Sequence, residues 1–327
     1  MSARLPSRRL LLAAGAAAAL PRFAVAQGDK APIRVLIGFP PGGATDAIGR
    51  VVVERLPAIL GQPVVVDNKP GIGGRLAADA VLAAPADGLT FMVAPNATPT
   101  FQTLVYKDQL RWDMQRDFAA VAAFCIYPLG MGVALNTGVQ GAKEFVAWAK
   151  ANPKQASFGT PGLGGQNHFL GVALGTAAGV ELEVVPYKGT PPMVTDLVGG
   201  QLPAAISLLD GMLPQHRANR IRVVGLFSKQ RSPLMPDIPT FAEQGIDVTG
   251  GDGWTGMWAR AGTPPAALQR VQDAVRQVLA QPEVQETLSG KLWAQPAFRT
   301  GAETDAMLRA EIAYWAPIIQ ASGFKPS

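Results

Sequence analysis

Short uninterrupted apolar runs alternate along this chain with longer stretches whose apolar positions recur at helical spacing, which predicts strands alternating with amphipathic helices. Residues 33–39 read as a strand and 47–60 as a helix, with Ile48, Val52, Leu56 and Ile59 on one face. A second strand over 63–66, a helix to about 84 and a third strand over 89–94 complete a βαβαβ unit, which requires a parallel sheet. Two apolar runs within 118–135, broken by Tyr127-Pro128, read as a crossing into a second domain. There the pattern repeats: helix 141–151, strand 156–159, helix 166–178, strand 182–186, helix 190–198, strand 203–208, short helix 212–218 and strand 221–227. The run 254–259 leads back, and helices over 264–280 and 303–321, having no sheet of their own, are expected to pack on the first domain. The expected organisation is 27–127 with 250–327 as one lobe and 128–249 as the other, each a mixed sheet flanked by helices.

Two of the strand-to-helix junctions are rich in glycine. In Phe39-Pro40-Pro41-Gly42-Gly43-Ala44-Thr45-Asp46, the prolines stiffen the strand exit, the glycines permit positive φ, and Thr45 or Asp46 can cap the helix. The second junction, Thr160-Pro161-Gly162-Leu163-Gly164-Gly165, follows the strand that holds Ser157 and Gly159. A helix start offers unpaired N–H groups and the positive end of its dipole, and ligands of parallel sheets sit beyond the carboxyl ends of the strands. Two such starts facing one cleft suit a ligand with one or two carboxylates held by backbone N–H groups and small hydroxyls such as Thr45 and Ser157. His168 opens the helix after the second junction, and Asn96, Tyr187 and Asp210 follow strand ends. Each also has a plain reading as a packing or turn residue.

Composition narrows the chemistry. With 16% charged and 48% hydrophobic residues over 327 positions, the chain is a folded one of two-domain size. Its net charge of +5 owes four arginines to the first 26 residues, and without them 25 basic side chains face 24 acidic ones, a net of +1 that argues against nucleic acid as a partner. That leader has Arg8-Arg9, an apolar run from 10 to 20 and Ala24-Val25-Ala26 before Gln27, the form of a bacterial export signal by the twin-arginine or Sec route. The expected compartment is the periplasm. Cys125 excludes an intrachain disulfide, and His168, His216 and one cysteine lack metal-ligand spacing, so no metal or cofactor is expected. G-x-S-x-G and the Walker pattern are absent, and Leu76 and Asn167 interrupt the two partial G-x-G-x-x-G runs. Nothing nominates a catalytic constellation; the alternative from the residues is an exported α/β hydrolase built on Ser157 and His168.

The chain resembles the Bug or TctC-type extracytoplasmic solute receptors of tripartite tricarboxylate transport. The likeness is carried by 39–46, by Gly61-Gln62-Pro63-Val64-Val65-Val66-Asp67-Asn68-Lys69-Pro70-Gly71, by Ala86-Asp87-Gly88-Leu89-Thr90, by Val185-Pro186-Tyr187-Lys188-Gly189, by Asp196-Leu197-Val198-Gly199-Gly200-Gln201 and by Pro236-Asp237-Ile238-Pro239-Thr240. The resemblance implies a two-lobed periplasmic binding protein of the Venus-flytrap, type II-like kind, without catalysis. It also implies a monomer that takes a small carboxylate (a dicarboxylate, a tricarboxylate, an acidic amino acid or an aromatic acid) and passes it to TctA/TctB-like membrane subunits or to a sensor. The ligand set it implies, joined to the residues above, is Phe39, Pro41, Gly42, Gly43, Thr45, Asp46, Asn96, Ser157, Gly159, Gly164, His168, Tyr187 and Asp210. The sequence departs from the family pattern at Thr160-Pro161, at Gly164-Gly165-Gln166-Asn167 and at Pro203.

Overall fold

Strand β1 (Ile33–Ile37) buries every residue except Arg34, because it has a parallel neighbour on each side and helices on both faces. The computed structural model describes residues 31–248 and 250–326, so the expected export signal lies outside the described residues. Helix α1 (Ala44–Val53) and α2 (Leu56–Leu60) replace the single helix read over 47–60. Pro57 is the reason: it sits in the first turn of α2, where a missing N–H breaks no bond, whereas inside a continuous helix it would remove one. Next come β2 (Val64–Asn68), α3 (Arg75–Ala83) and β3 (Thr90–Pro95), with β1 pairing in parallel to both β2 and β3.

Strand β4 (Phe118–Ala134) organises the rest. The pattern predicted a break at Tyr127-Pro128, yet the backbone runs through it as one 17-residue strand that changes partners there. Phe118 to Pro128 pair antiparallel with β9 (Asp252–Arg260), whereas Leu129 to Ala134 pair with β7 (Ala204–Leu208) and β8 (Ile221–Leu226). Proline has no N–H to give a ladder, and it falls at the last rung shared with β9. Between these partners lie α4 (Ala142–Ala151), β5 (Ser157–Thr160), α5 (Gln166–Ala178), β6 (Glu183–Pro186), α6 (Thr190–Val198) and, after β7, α7 (Leu209–Arg217). The sheet order is β2-β1-β3-β9-β4-β7-β5-β6, and β10 (Gln295–Thr300), a strand the apolar pattern did not reveal, pairs with the first half of β4.

Period-two alternation distributes the apolar side chains between cores on the two faces. Val35, Ile37, Phe91 and Val93 join one cluster, while Leu36, Met92 and Ala94 join another on the opposite face. Helix α8 (Pro265–Leu279) buries Val271, Val275 and Leu279 in the first of these. The last helix, α9 (Gly301–Ala321), behaves differently. Thr300 and Glu303 close a capping box at its start; Leu308 then packs with the first half of the sheet, and Trp315 and Ile319 pack against Phe101 and Phe169 in the second. By touching both halves, α9 holds Pro32–Ser327 together as one unit. No helix of the described residues is long and apolar enough to cross a membrane.

Candidate functional site

The first glycine loop is closed by its own acid. Gly42 takes φ of +78°, Gly43 donates to the Pro40 carbonyl at 3.2 Å, and α1 begins at Ala44, earlier than the apolar pattern indicated. Asp46 therefore lies in the first turn, 2% exposed, and its carboxylate accepts from the Gly42 amide at 2.9 Å, from Arg50 Nε at 2.9 and 3.0 Å and from Asn68 Nδ2 at 2.8 Å. Asn68 Nδ2 also holds the Phe39 carbonyl at 3.0 Å. Burial works to raise the Asp46 pKa, but the bonds from Asn68, Gly42 and Arg50 outweigh it and hold the carboxyl below its ordinary value. Asp46 is thus a clasp for the loop, while the amides of the first α1 turn keep the free valences of any helix start.

The second loop has no acid of its own. Gly164, at φ +73°, donates to His168 Nδ1 at 3.3 Å, and His168 lies between Phe169 and Phe324 with ring centres 4.8 and 5.0 Å away. Burial lowers its pKa, which favours the neutral ring, and the ring serves packing. Helix α5 starts at Gln166, 7% exposed, whose amide nitrogen donates to the carbonyls of Gly250 at 2.8 Å and Asp252 at 3.2 Å.

Between these loops lies a cavity of about 220 Å³. Ala44, Thr45 and Ile48 of α1 form one wall, and Gly165, Gln166 and Asn167 at the start of α5 form another. Leu208, Leu209 and Asp210 bring the start of α7, the turn after β3 contributes Pro95, Asn96 and Ala97, and the partner-changing segment of β4 supplies Tyr127, Pro128 and Leu129. Met235, Leu292 and Trp293 complete the lining. Trp293 holds φ of +52°, a left-handed conformation rare for a bulky residue, and Arg217 of α7 stacks over its ring at 4.8 Å.

Thr45, Asn96 and Asp210 are therefore the expected residues that the structure brings to one cavity. Pro41 and Gly42 are exposed, and Phe39, Gly43 and Asp46 shape the approach to α1 without lining the space. Ser157 is not brought there: it begins β5, so its strand runs toward the cavity from the far end, and its hydroxyl donates to the Gln155 carbonyl at 3.4 Å. Gly159 is needed for packing, since a Cβ there would meet Leu202 at 2.5 Å, and Gly164 spaces the loop from Phe324. Tyr187 donates to Asp196 at 2.8 Å; burial, then that bond, pushes its pKa up to about 12. Ser157 and His168 are each engaged elsewhere, so they do not form the hydrolytic pair considered from the sequence.

Beneath the cavity runs a polar network that sequence reasoning missed. Asn96, 2% exposed, donates through one nitrogen to Gln166 Oε1 at 3.1 Å and to Glu311 Oε1 at 2.7 Å. Glu311, from α9, also accepts from Thr100 Oγ1 at 2.5 Å and from Trp254 Nε1 at 3.1 Å. Burial pushes the Glu311 carboxyl up to about 7 even against these donors. Only its place in an otherwise apolar helical stretch hinted at it; its partner Asn96 is 215 positions away.

A curled mixed sheet flanked by helices, with a cavity where helix starts converge beside shared strands, defines the class of solute-binding receptors. The structure of the periplasmic binding protein BugD matches at a TM-score of 0.74 and 26% identity, covering 90% of this chain and 99% of that one. The R. palustris protein Rpa4515 with adipate matches at 0.78 and 28%, covering 90% and 98%. The family is settled by sequence: the model of the tripartite tricarboxylate transporter family receptors, TctC, matches residues 48–324, and the chain belongs to that family. Protein BugT of Bordetella pertussis is 30% identical over 294 residues, 90% of each chain. These relatives are receptors and not enzymes.

Proposed function

We propose that this chain is a periplasmic receptor that captures a small carboxylate in the cavity between α1, α5 and α7 and presents it to the membrane subunits of a tripartite transporter. The observation that carries this reading is the convergence of three helix starts on one space that, among the described residues, no lysine or arginine lines, so that backbone N–H groups and neutral side chains such as Thr45 and Asn167 are the donors offered to an anion. The change of partners in β4 at Pro128 supports hinged lobes of 27–127 with 250–327 and of 128–249. Asn96 and Gln166 span that division, so ligand closure and the buried network act on the same boundary. The adipate held by Rpa4515 fits the carboxylate class, and the family's association with a transporter fits delivery to membrane subunits.

Calorimetric melting with mono-, di- and tricarboxylates tests this. A ligand of the folded form at a hundred times its Kd adds about 2.7 kcal/mol and raises Tm. Ala97→Trp, which fills the cavity, is expected to abolish the shift. If no carboxylate moves Tm, the receptor reading falls.

A further inference from the structure

We infer that the preferred ligand is a monocarboxylate with an apolar body, and that Asp210 excludes a second carboxylate from the cavity. The inference rests on the carboxylate reading above and concerns the charges that meet at the cavity. Three helix starts reach it, but they are not equivalent. The first turn of α1 already holds Asp46, clasped to the Gly42 amide. The first turn of α7 holds Asp210, whose Oδ1 accepts from the Gly211 amide at 2.8 Å. The first turn of α5 holds no acid at all. One of the three positive helix ends is thus left without a resident carboxylate, and a single ligand carboxylate completes it.

The remaining lining agrees. Among the described residues no lysine or arginine lines the cavity, and Asp210 is the one acidic or basic side chain that does. A diacid seated on α5 would carry its second charge toward that side chain or into the apolar wall of Ile48, Leu129, Leu209, Met235, Leu292 and Trp293. Burying an unpaired charge there is unfavourable, whereas an apolar chain or ring gains by leaving water. Trp293 takes a left-handed backbone conformation and carries Arg217 over its ring, and it contributes an aromatic surface to this wall.

Isothermal titration with hexanoate and adipate, which differ chiefly in the second carboxylate, and with benzoate tests the assignment. Hexanoate or benzoate is expected to bind at least tenfold more tightly than adipate. Asp210→Asn, a nearly isosteric change at an exposed side chain that retains the acceptor for Gly211, is expected to narrow that ratio at least fivefold. Tighter binding of adipate by the wild type, or a ratio unmoved by Asp210→Asn, overturns this inference and leaves the carboxylate reading standing. Absence of binding by all three acids and by tricarballylate overturns both.

Discussion

The two glycine loops look alike in sequence and do different work. The loop before α1 contains its own anion, Asp46, and that carboxylate ties the strand exit, the helix start and Asn68 into a rigid corner. The loop before α5 contains none; its helix start is braced instead from below, through Gln166 to the backbone at Gly250 and Asp252 and through Asn96 to Glu311. The comparison teaches that a helix start can be spent on internal rigidity or kept for a ligand. Which use applies depends on where the nearest acid sits.

The largest expected effect breaks the first loop. Asp46→Ala leaves the Gly42 amide and Asn68 without their acceptor and removes the partner of Arg50, which is itself partly exposed, so a loss of about 2–3 kcal/mol in urea unfolding is expected. A loss below about 0.5 kcal/mol, the level of an ordinary surface change, would refute the clasp.

The brace under the second loop is read by pH. Glu311 has its carboxyl raised from 4.5 to about 7, so the folded state binds this proton more tightly than the unfolded chain. Its contribution to stability is fully present below pH 4.5 and is lost as pH rises to about 7. The expected decline is roughly 1–3 kcal/mol across that window. Asp252, raised to about 6 by burial, declines in the same direction over a lower window. Urea unfolding at several pH values should show a flatter profile for Glu311→Gln, with the Asp252 part retained; an unchanged profile would separate Glu311 from the pH response.

Smaller effects sharpen the difference between the loops. Asn167 lines the cavity at the start of α5, where its side-chain N–H is a donor that a carboxylate can accept from. Asn167→Ala is expected to weaken ligand binding by about tenfold or more with stability changed by less than about 0.5 kcal/mol, a hydrogen bond to a charged group being worth about 1.5–3 kcal/mol. Equal affinities by titration would remove it from the site. Smallest of all, Ser157→Ala is expected to leave affinity within about twofold, since loss of a half-exposed hydroxyl far from the ligand is a near-neutral change. A larger loss would move the site to the other end of β5.

Local rules made much of this legible. The parallel βαβαβ unit, the glycine-bearing junctions and the helix start at Gln166 follow from periods and from glycine's access to positive φ, both of which act within a few residues, whereas α1 starts at Ala44 behind Gly43 and neither Thr45 nor Asp46 caps it. The single helix over 47–60 failed at Pro57 for an equally local reason that the apolar stripe concealed.

What the amino-acid order alone determined about this protein is therefore its alternation of strand, turn and helix and its repeated glycine-bearing junctions, because those depend on backbone geometry and side-chain period. Tertiary structure alone decided that Ser157 lies outside the cavity lining, that β4 passes unbroken through Pro128, and that Glu311 and Trp254 meet Asn96 beneath the cavity. Those outcomes rest on contacts between residues tens to hundreds of positions apart, and the free energy that selects them comes from burying whole faces together, which no short window of sequence contains.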